Sequence, residues 1–275
     1  SKNCFDYYKM GNEFGGIGPG KIADILILDD YKKIKINKVI LGGKIVVSNG
    51  KILEIIHSPK IPTWIQKTVK LPKLTTENFI LTSKNNTEIV NIISMKTEIV
   101  TKKDTTDLSV KDSNVMASYD KDIWKVTAMD RTFGSKTKTI GFLKNFGADI
   151  GAFASTWSFH ENDMIVIGSN EKDMADAANK LVKSQGGLIV VKNRKTLASL
   201  PFQMGGIIST DSIDKVTTNF TKINDVLLDS GCKFKKPHLI PLFLPFLALP
   251  DIRIMYSGIV DVKARKFIPT IQTTV

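Results

Sequence analysis

The sequence predicts an α+β protein, on three observations. Short, β-rich apolar runs outnumber everything else along the chain. Only two segments, residues 171–185 and 212–230, carry the apolar spacing of amphipathic helices. Strands and helices mix without strict βαβ alternation.

The elements follow in order. Residues 17–57 read as consecutive short strands. Ala23 to Leu28 is an apolar run. Lys38 to Leu41 and Lys44 to Val47 flank Gly42-Gly43, a hairpin signal. Ser48-Asn49-Gly50 makes the next turn, and Lys51 to Ile56 follows. Strands this short form a sheet with open edges, rarely stable alone. Pro59, Pro62 and Pro72 punctuate residues 58–74, which read as a linker. Beyond it the strand candidates are Thr87 to Ile93, Thr97 to Thr101, Ile123 to Met129, Ala152 to Ser155, Met164 to Ile167 and Leu188 to Lys192. Asn193-Arg194 turns the last of these into Thr196 to Leu200. Asn170 caps the first helix, Gly186 stops it, and Met174, Ala177, Ala178, Leu181 and Val182 share a face. Asp211 is the candidate cap of the second, whose stripe is Ile213, Val216, Phe220, Ile223, Val226 and Leu227.

The 275 residues suffice for one large domain or two ordinary ones, and 42% hydrophobic content supports a real core. The formal charge of +12 favours anionic partners. The lysines are scattered and not interleaved with aromatics, so a solvated surface fits better than a nucleic-acid groove. Cys4 and Cys232 lie far apart without a partner motif, which fits a reducing cytoplasm. No run approaches the ~18 apolar residues of a membrane span. The most apolar stretch, Leu239 to Leu249, is broken by Pro241 and Pro245. The start, "SKNCFDYYKMGNEFGG", has neither Met nor a signal peptide and reads like the middle of a longer chain.

The three histidines, His57, His160 and His238, form no His-x-His pair and no zinc spacing with the cysteines. A nucleophile elbow and a Walker loop are absent. "GGIGPG" leads into a strand, so a turn suits it better than phosphate binding. Three polar constellations remain: His160, Glu161 and Asp163; Asp130-Arg131 after the strand 123–129; and Lys125 inside that strand. The first has residue types that bind a divalent cation or polarise water. Consecutive turn residues also point different ways and meet only solvent, and that reading is preferred on the residues alone. Asp130-Arg131 is open to a simple surface ion pair. Two runs rich in small residues, 146–156 and 202–209, suit close backbone approach to a ligand or chain, or tight strand packing.

Gly15, Ile17, Pro19, Gly20, Ala23 and Asp24 match the Gly-x-Ile-x-Pro-Gly-x-x-Ala-Asp pattern with which amidohydrolases leave their barrel. "DIWKVTAMDR", "GFLKNFGADIGAFASTWS", "NDMIVIGSNEKDMADAANKL", "GGLIVVKN", "LPFQMGGIIS" and "FLALPDIRIMYSGIVDV" follow in the order of the C-terminal domain of microbial adenine deaminases. The chain resembles that family over nearly all of residues 15–265. The resemblance implies the end of a barrel at 1–16, part of a small composite β-sandwich at 17–57, the linker, and an α+β C-terminal domain at 75–275. The family's catalytic (β/α)8 barrel is absent from this chain. The implied reaction is hydrolysis of adenine to hypoxanthine and ammonia, using manganese or iron ions held by barrel histidines ahead of Ser1. None is expected on this chain alone.

Two departures stand out. Against the family's Ser-Thr-Val-Ala-His-Asp-Ser-His-Asn, this chain places Phe159, His160, Glu161, Asn162 and Asp163 on the last five positions, keeping polarity but not identity. The family's Glu-Arg-His becomes Asp130-Arg131-Thr132. Ser155, Thr156, His160, Glu161, Asp163, Asp130 and Arg131 are therefore the candidate residues of a substrate-pocket wall or domain interface. The expected partners are a barrel-bearing chain or a second copy, with adenine as the parent's substrate, in the cytoplasm. The alternative is a stand-alone, non-catalytic purine- or protein-binding module.

Overall fold

The computed structural model describes residues 2–54, 60–159 and 163–272. It is mixed α+β, and the chain divides into two compact units, residues 1–60 and 61–275.

The smaller unit has a short helix, α1 (Lys2–Tyr7), and four strands: β1 (Ile25–Asp30), β2 (Lys35–Leu41), β3 (Lys44–Ser48) and β4 (Lys51–Ile52). They form an antiparallel meander in chain order. Asp24 explains its place in the motif: its carboxylate accepts from the Gly42 amide at 2.7 Å, tying the strand entrance to the hairpin turn. No described residue of this unit is buried. Leu26, Ile36, Leu41, Ile45 and Ile52 are all exposed, so the sheet has no core of its own.

The larger unit holds the hydrophobic core. Its strands are β5 (Thr87–Met95), β6 (Thr101–Lys111), β7 (Asn114–Val115), β8 (Ile123–Met129), β9 (Lys138–Lys144), β10 (Ala152–Ser155), β11 (Met164–Gly168), β12 (Gly187–Lys192) and β13 (Lys195–Pro201). They make one sheet in the order β13-β12-β10-β11-β8-β9-β5-β6-β7. Every pair is antiparallel except β5–β9. Helix α2 (Glu171–Ser184) packs with the cluster containing Ala152, Ala154, Met164, Val166, Ile189 and Val191. Helix α3 (Ile213–Asp229) and the short α4 (Ile240–Phe243) join the cluster containing Phe153, Ile165, Ile167, Leu188 and Val190. Successive residues of β10, β11 and β12 thus enter opposite cores, the period-two rule where a sheet is covered on both faces. A last hairpin, β14 (Ile252–Met255), β15 (Gly258–Asp261) and β16 (Lys266–Ile268), forms a separate three-stranded sheet.

Three local expectations change. Residues 61–74 are no free linker: Val69, Leu71 and Leu74 are buried in the α2 cluster. Asn179 of α2 exchanges hydrogen bonds with the Leu74 amide (2.9 Å) and carbonyl (2.8 Å). The prolines mark an extended strap whose alternate apolar residues face the helix. Thr97 to Val100 is a turn, because Thr97 Oγ1 accepts from the Val100 amide at 2.9 Å. The second helix is capped by Ser212, whose side chain accepts from the Lys215 amide, while Asp211 pairs with Lys215 Nζ at 2.8 Å. The first helix is capped by Asn170 as expected. The small residues Ala152 and Ala154 let α2 lie close on the sheet. Among the described residues, no helix is long and apolar enough to cross a membrane.

Lys125 is buried in the middle of β8. Its ammonium reaches Glu171 Oε1 (2.6 Å), Asn114 Oδ1 (2.6 Å) and the Phe79 carbonyl (3.1 Å), so all three donors are used. Burial pulls its pKa down and Glu171 opposes that. Lys125→Met leaves the Glu171 carboxylate without its cation. The expected cost is about 3 kcal/mol in urea unfolding. Lys125→Met with Glu171→Gln costs less than the single change, because no uncompensated charge remains. Equal costs would contradict the pairing.

Candidate functional site

The strand register gathers several loops at one end of the sheet. Met129 pairs with Met164, Ser155 with Ile165 and Leu188, and Gly187 with Pro201. The described residues leaving these positions, 130–137, 156–159 and 202–209, therefore meet, with Asp163 at the entrance of β11. Ser155, Thr156, Asp163, Asp130 and Arg131 all lie here and all are buried. His160 and Glu161 lie outside the described residues, so the proposed cluster is visible only through Asp163.

Each buried polar side chain has a definable task. Ser155 Oγ accepts from the Trp157 amide (2.9 Å) and donates to its carbonyl (3.0 Å), closing the turn out of β10. Thr156 Oγ1 accepts from the Gly187 amide (2.8 Å) and donates to the Gly206 carbonyl (2.6 Å), pinning the loop after β13 to the strand ends. Asp130 is no surface ion pair. Its carboxylate accepts from the Thr132 (3.0 Å), Phe133 (2.8 Å) and Ser135 (2.9 Å) amides and so shapes the loop after β8. Burial raises its pKa, but the bonds from Ser135, Phe133 and Thr132 outweigh that and leave it below the usual carboxylate value.

Arg131 is different. Its side chain is 2% exposed, and Nε has no partner among the described residues. Burial lowers its pKa to about 10 against the opposing field of Asp163. Gly206 has φ +73°, and a Cβ there would stand 2.7 Å from Arg131 Nη1, so the loop backbone passes directly over the guanidinium. Asp163 Oδ2 accepts from the Tyr256 amide at 2.8 Å, and its backbone carbonyl accepts from Ser158 Oγ at 2.8 Å. The result is a planar donor with a spare Nε–H beside a fixed carboxylate, roofed by a glycine loop. It suits binding and orienting a flat polar group.

Among the described residues no three His, Cys, Asp or Glu side chains are grouped to hold an ion. His238 Nδ1 lies 2.8 Å from Asn224 Oδ1, and its ring stacks on Trp157. Burial, with Lys236 nearby, holds its pKa below the ordinary value. The described donor set therefore does not fit the metal ions that the resemblance implies.

Sequence reasoning missed Gly206 as the roof over Arg131 and Tyr256 as the partner of Asp163. The small residues at 202–209 hinted at the first. Nothing local signals the second, whose partners are 93 positions apart.

The folded Asp130 carboxyl has a depressed pKa, so its stabilisation is complete above the unfolded value, about 3.9. It is lost as pH falls through the lower folded value. Asp130→Asn is expected to cost about 2 kcal/mol at pH 7. Its stability deficit relative to the unaltered chain should shrink as the medium is acidified below that window. A deficit independent of pH in denaturant titrations would contradict the assignment.

Residues 98–266 match the model of the family described as adenine deaminase C-terminal domain. A Cenarchaeum symbiosum protein named adenine deaminase is 51% identical over 98% of this chain and 44% of its own length. Proteins of that name from Clostridium botulinum and Methanosphaera stadtmanae are 31% and 29% identical, over 97% and 98% of this chain and 45% and 49% of theirs. The chain thus spans about half the length of the curated relatives it matches. With the family model covering more than half of its residues, the chain belongs to the adenine deaminase C-terminal domain family.

Proposed function

We propose that this chain is the C-terminal part of an adenine deaminase. It walls the substrate pocket, while a barrel-bearing polypeptide performs the hydrolysis of adenine to hypoxanthine and ammonia. The observation that carries this reading is Arg131. A buried guanidinium with an unpaired Nε is costly unless an acceptor arrives. It lies where the family's motifs converge, beside Asp163 and under Gly206. The divalent metal implied by the family would sit on the barrel part, which also supplies the water-activating groups. On this chain, Thr156 and Asp130 hold the two loops, and Arg131 and Asp163 face the pocket. The exposed isoleucines and leucines of β1 to β4 fit the same picture, since a partner's strands would bury them.

Ammonia release from adenine tests the proposal. The purified chain alone should give none. Mixed with the N-terminal half of an adenine deaminase such as the Cenarchaeum relative, it should restore turnover and elute with that half. Arg131→Met in the reconstituted pair should lower kcat/KM about tenfold or more, an effect of at least ~1.4 kcal/mol. Deamination by the chain alone, or a neutral Arg131→Met, would contradict the proposal.

A further inference from the structure

At the opposite end of β8, β10 and β11 lies a cavity of about 480 Å³, a size typical of small-molecule sites. It is bounded by Tyr119, Asp122, Trp124, Gly147, Ser169 and Lys233. The strand pairing sets it apart from the Arg131 cluster: Lys125 and Ala152 meet Gly168 at this end, and Met129 and Ser155 close the other.

The cavity is built from residues with fixed geometry. Asp122 has φ +50° and ends the short turn Tyr119–Lys121. Its Oδ1 accepts from Trp124 Nε1 at 2.8 Å and from the Gly147 amide at 2.9 Å. Those two bonds lock the carboxylate, and Oδ2 accepts no hydrogen bond from the described residues. Trp124 is buried, with Phe146 edge-on at 5.3 Å. Tyr119 stands edge-on to Trp124 at 5.4 Å, remains 50% exposed and lines the cavity. Ser169 lies beside its hydroxyl, and burial raises that phenol's pKa. Gly147 has φ +75°, and a Cβ there would be 3.2 Å from the Gly231 carbonyl. That close approach brings the 230–233 loop, with Lys233, to the rim. Asp149 is engaged by Lys192 at 2.8 Å, whereas Lys233 has no ion pair among the described residues.

We propose that this cavity binds a nucleoside monophosphate whose base carries an exocyclic amino group. The flat base stacks on Tyr119, the amino group donates to Asp122 Oδ2, and the phosphate reaches Lys233. Each contact uses a group that the fold leaves unsatisfied. A carboxylate oxygen takes only donors, an exposed phenol ring takes a flat apolar face, and a lone ammonium takes an anion. The site goes beyond the deaminase reading and does not depend on it.

Calorimetric titration of the 275-residue chain with adenosine monophosphate and inosine monophosphate tests this. The two differ at the group that meets Asp122: an amino donor in one, a carbonyl acceptor in the other. Adenosine monophosphate should bind about tenfold tighter or more. In Asp122→Asn the amide oxygen keeps the bonds from Trp124 and Gly147, so the amide N–H groups face the cavity and the preference should invert. Tyr119→Ala should weaken adenosine monophosphate about tenfold, the usual order for one stacked base. No binding of adenosine monophosphate, equal binding of the two, or an unchanged preference in Asp122→Asn would overturn the proposal. Should Asp122→Asn fail to fold, the comparison on the unaltered chain together with Tyr119→Ala decides it.

Discussion

The larger unit depends on a sheet that is dry on both faces. Every residue of β8, β10 and β11 is buried, and neighbours along a strand enter different cores. Each fully buried aliphatic side chain contributes about 1.5–3 kcal/mol relative to exposure. Dozens of them offset the conformational entropy of ordering the chain. The same dryness restricts chemistry. A charged side chain inside such a strand must be partnered, as Lys125 is. Both candidate sites lie at the strand ends, where the loops bring polar side chains together.

Buried cations make the contrast concrete. Arg253 directs its guanidinium to the carbonyls of Leu249 (3.0 Å), Phe243 (3.1 Å), Ile99 (3.0 Å) and Pro250 (2.7 Å). It ties the loop before β14 to the turn before β6. Lys125 uses all three of its donors. These two cations hold the fold together. Arg131 is equally buried, and burial lowers both arginines to about 10, yet the bonds that quiet Arg253 are missing at Arg131 Nε. A fold that satisfies one buried guanidinium so fully makes the other conspicuous.

Much of this was legible in the sequence. The helix over 171–185 announced itself through Asn170, its apolar face and the glycine after it. Asn193-Arg194 marked a hairpin, and both residues do take positive φ, with Asp173 accepting from their amides at 3.0 and 2.7 Å. The family was readable from collinear motifs. Residues 61–74 were misread because proline marks an extended strap as well as a linker, and what buries Leu74 is a helix 105 positions away. Asp130 looked like half of an ion pair because its true partners are backbone amides, which no side-chain pattern reveals. The Asp122 cavity left no motif either: its walls come from four separate segments joined by strand pairing.

The two units differ in what they own. The larger has three clusters of buried apolar residues. The smaller, a meander with exposed leucines and isoleucines, has none among its described residues. Amide hydrogen exchange on the isolated chain tests this division most directly. Burial predicts that amides of β8, β10 and β11 exchange last, by global unfolding, while those of β1 to β4 exchange orders of magnitude faster. Equal protection of β1 to β4 and the central strands would contradict the claim that the dry, doubly covered sheet alone sustains the fold.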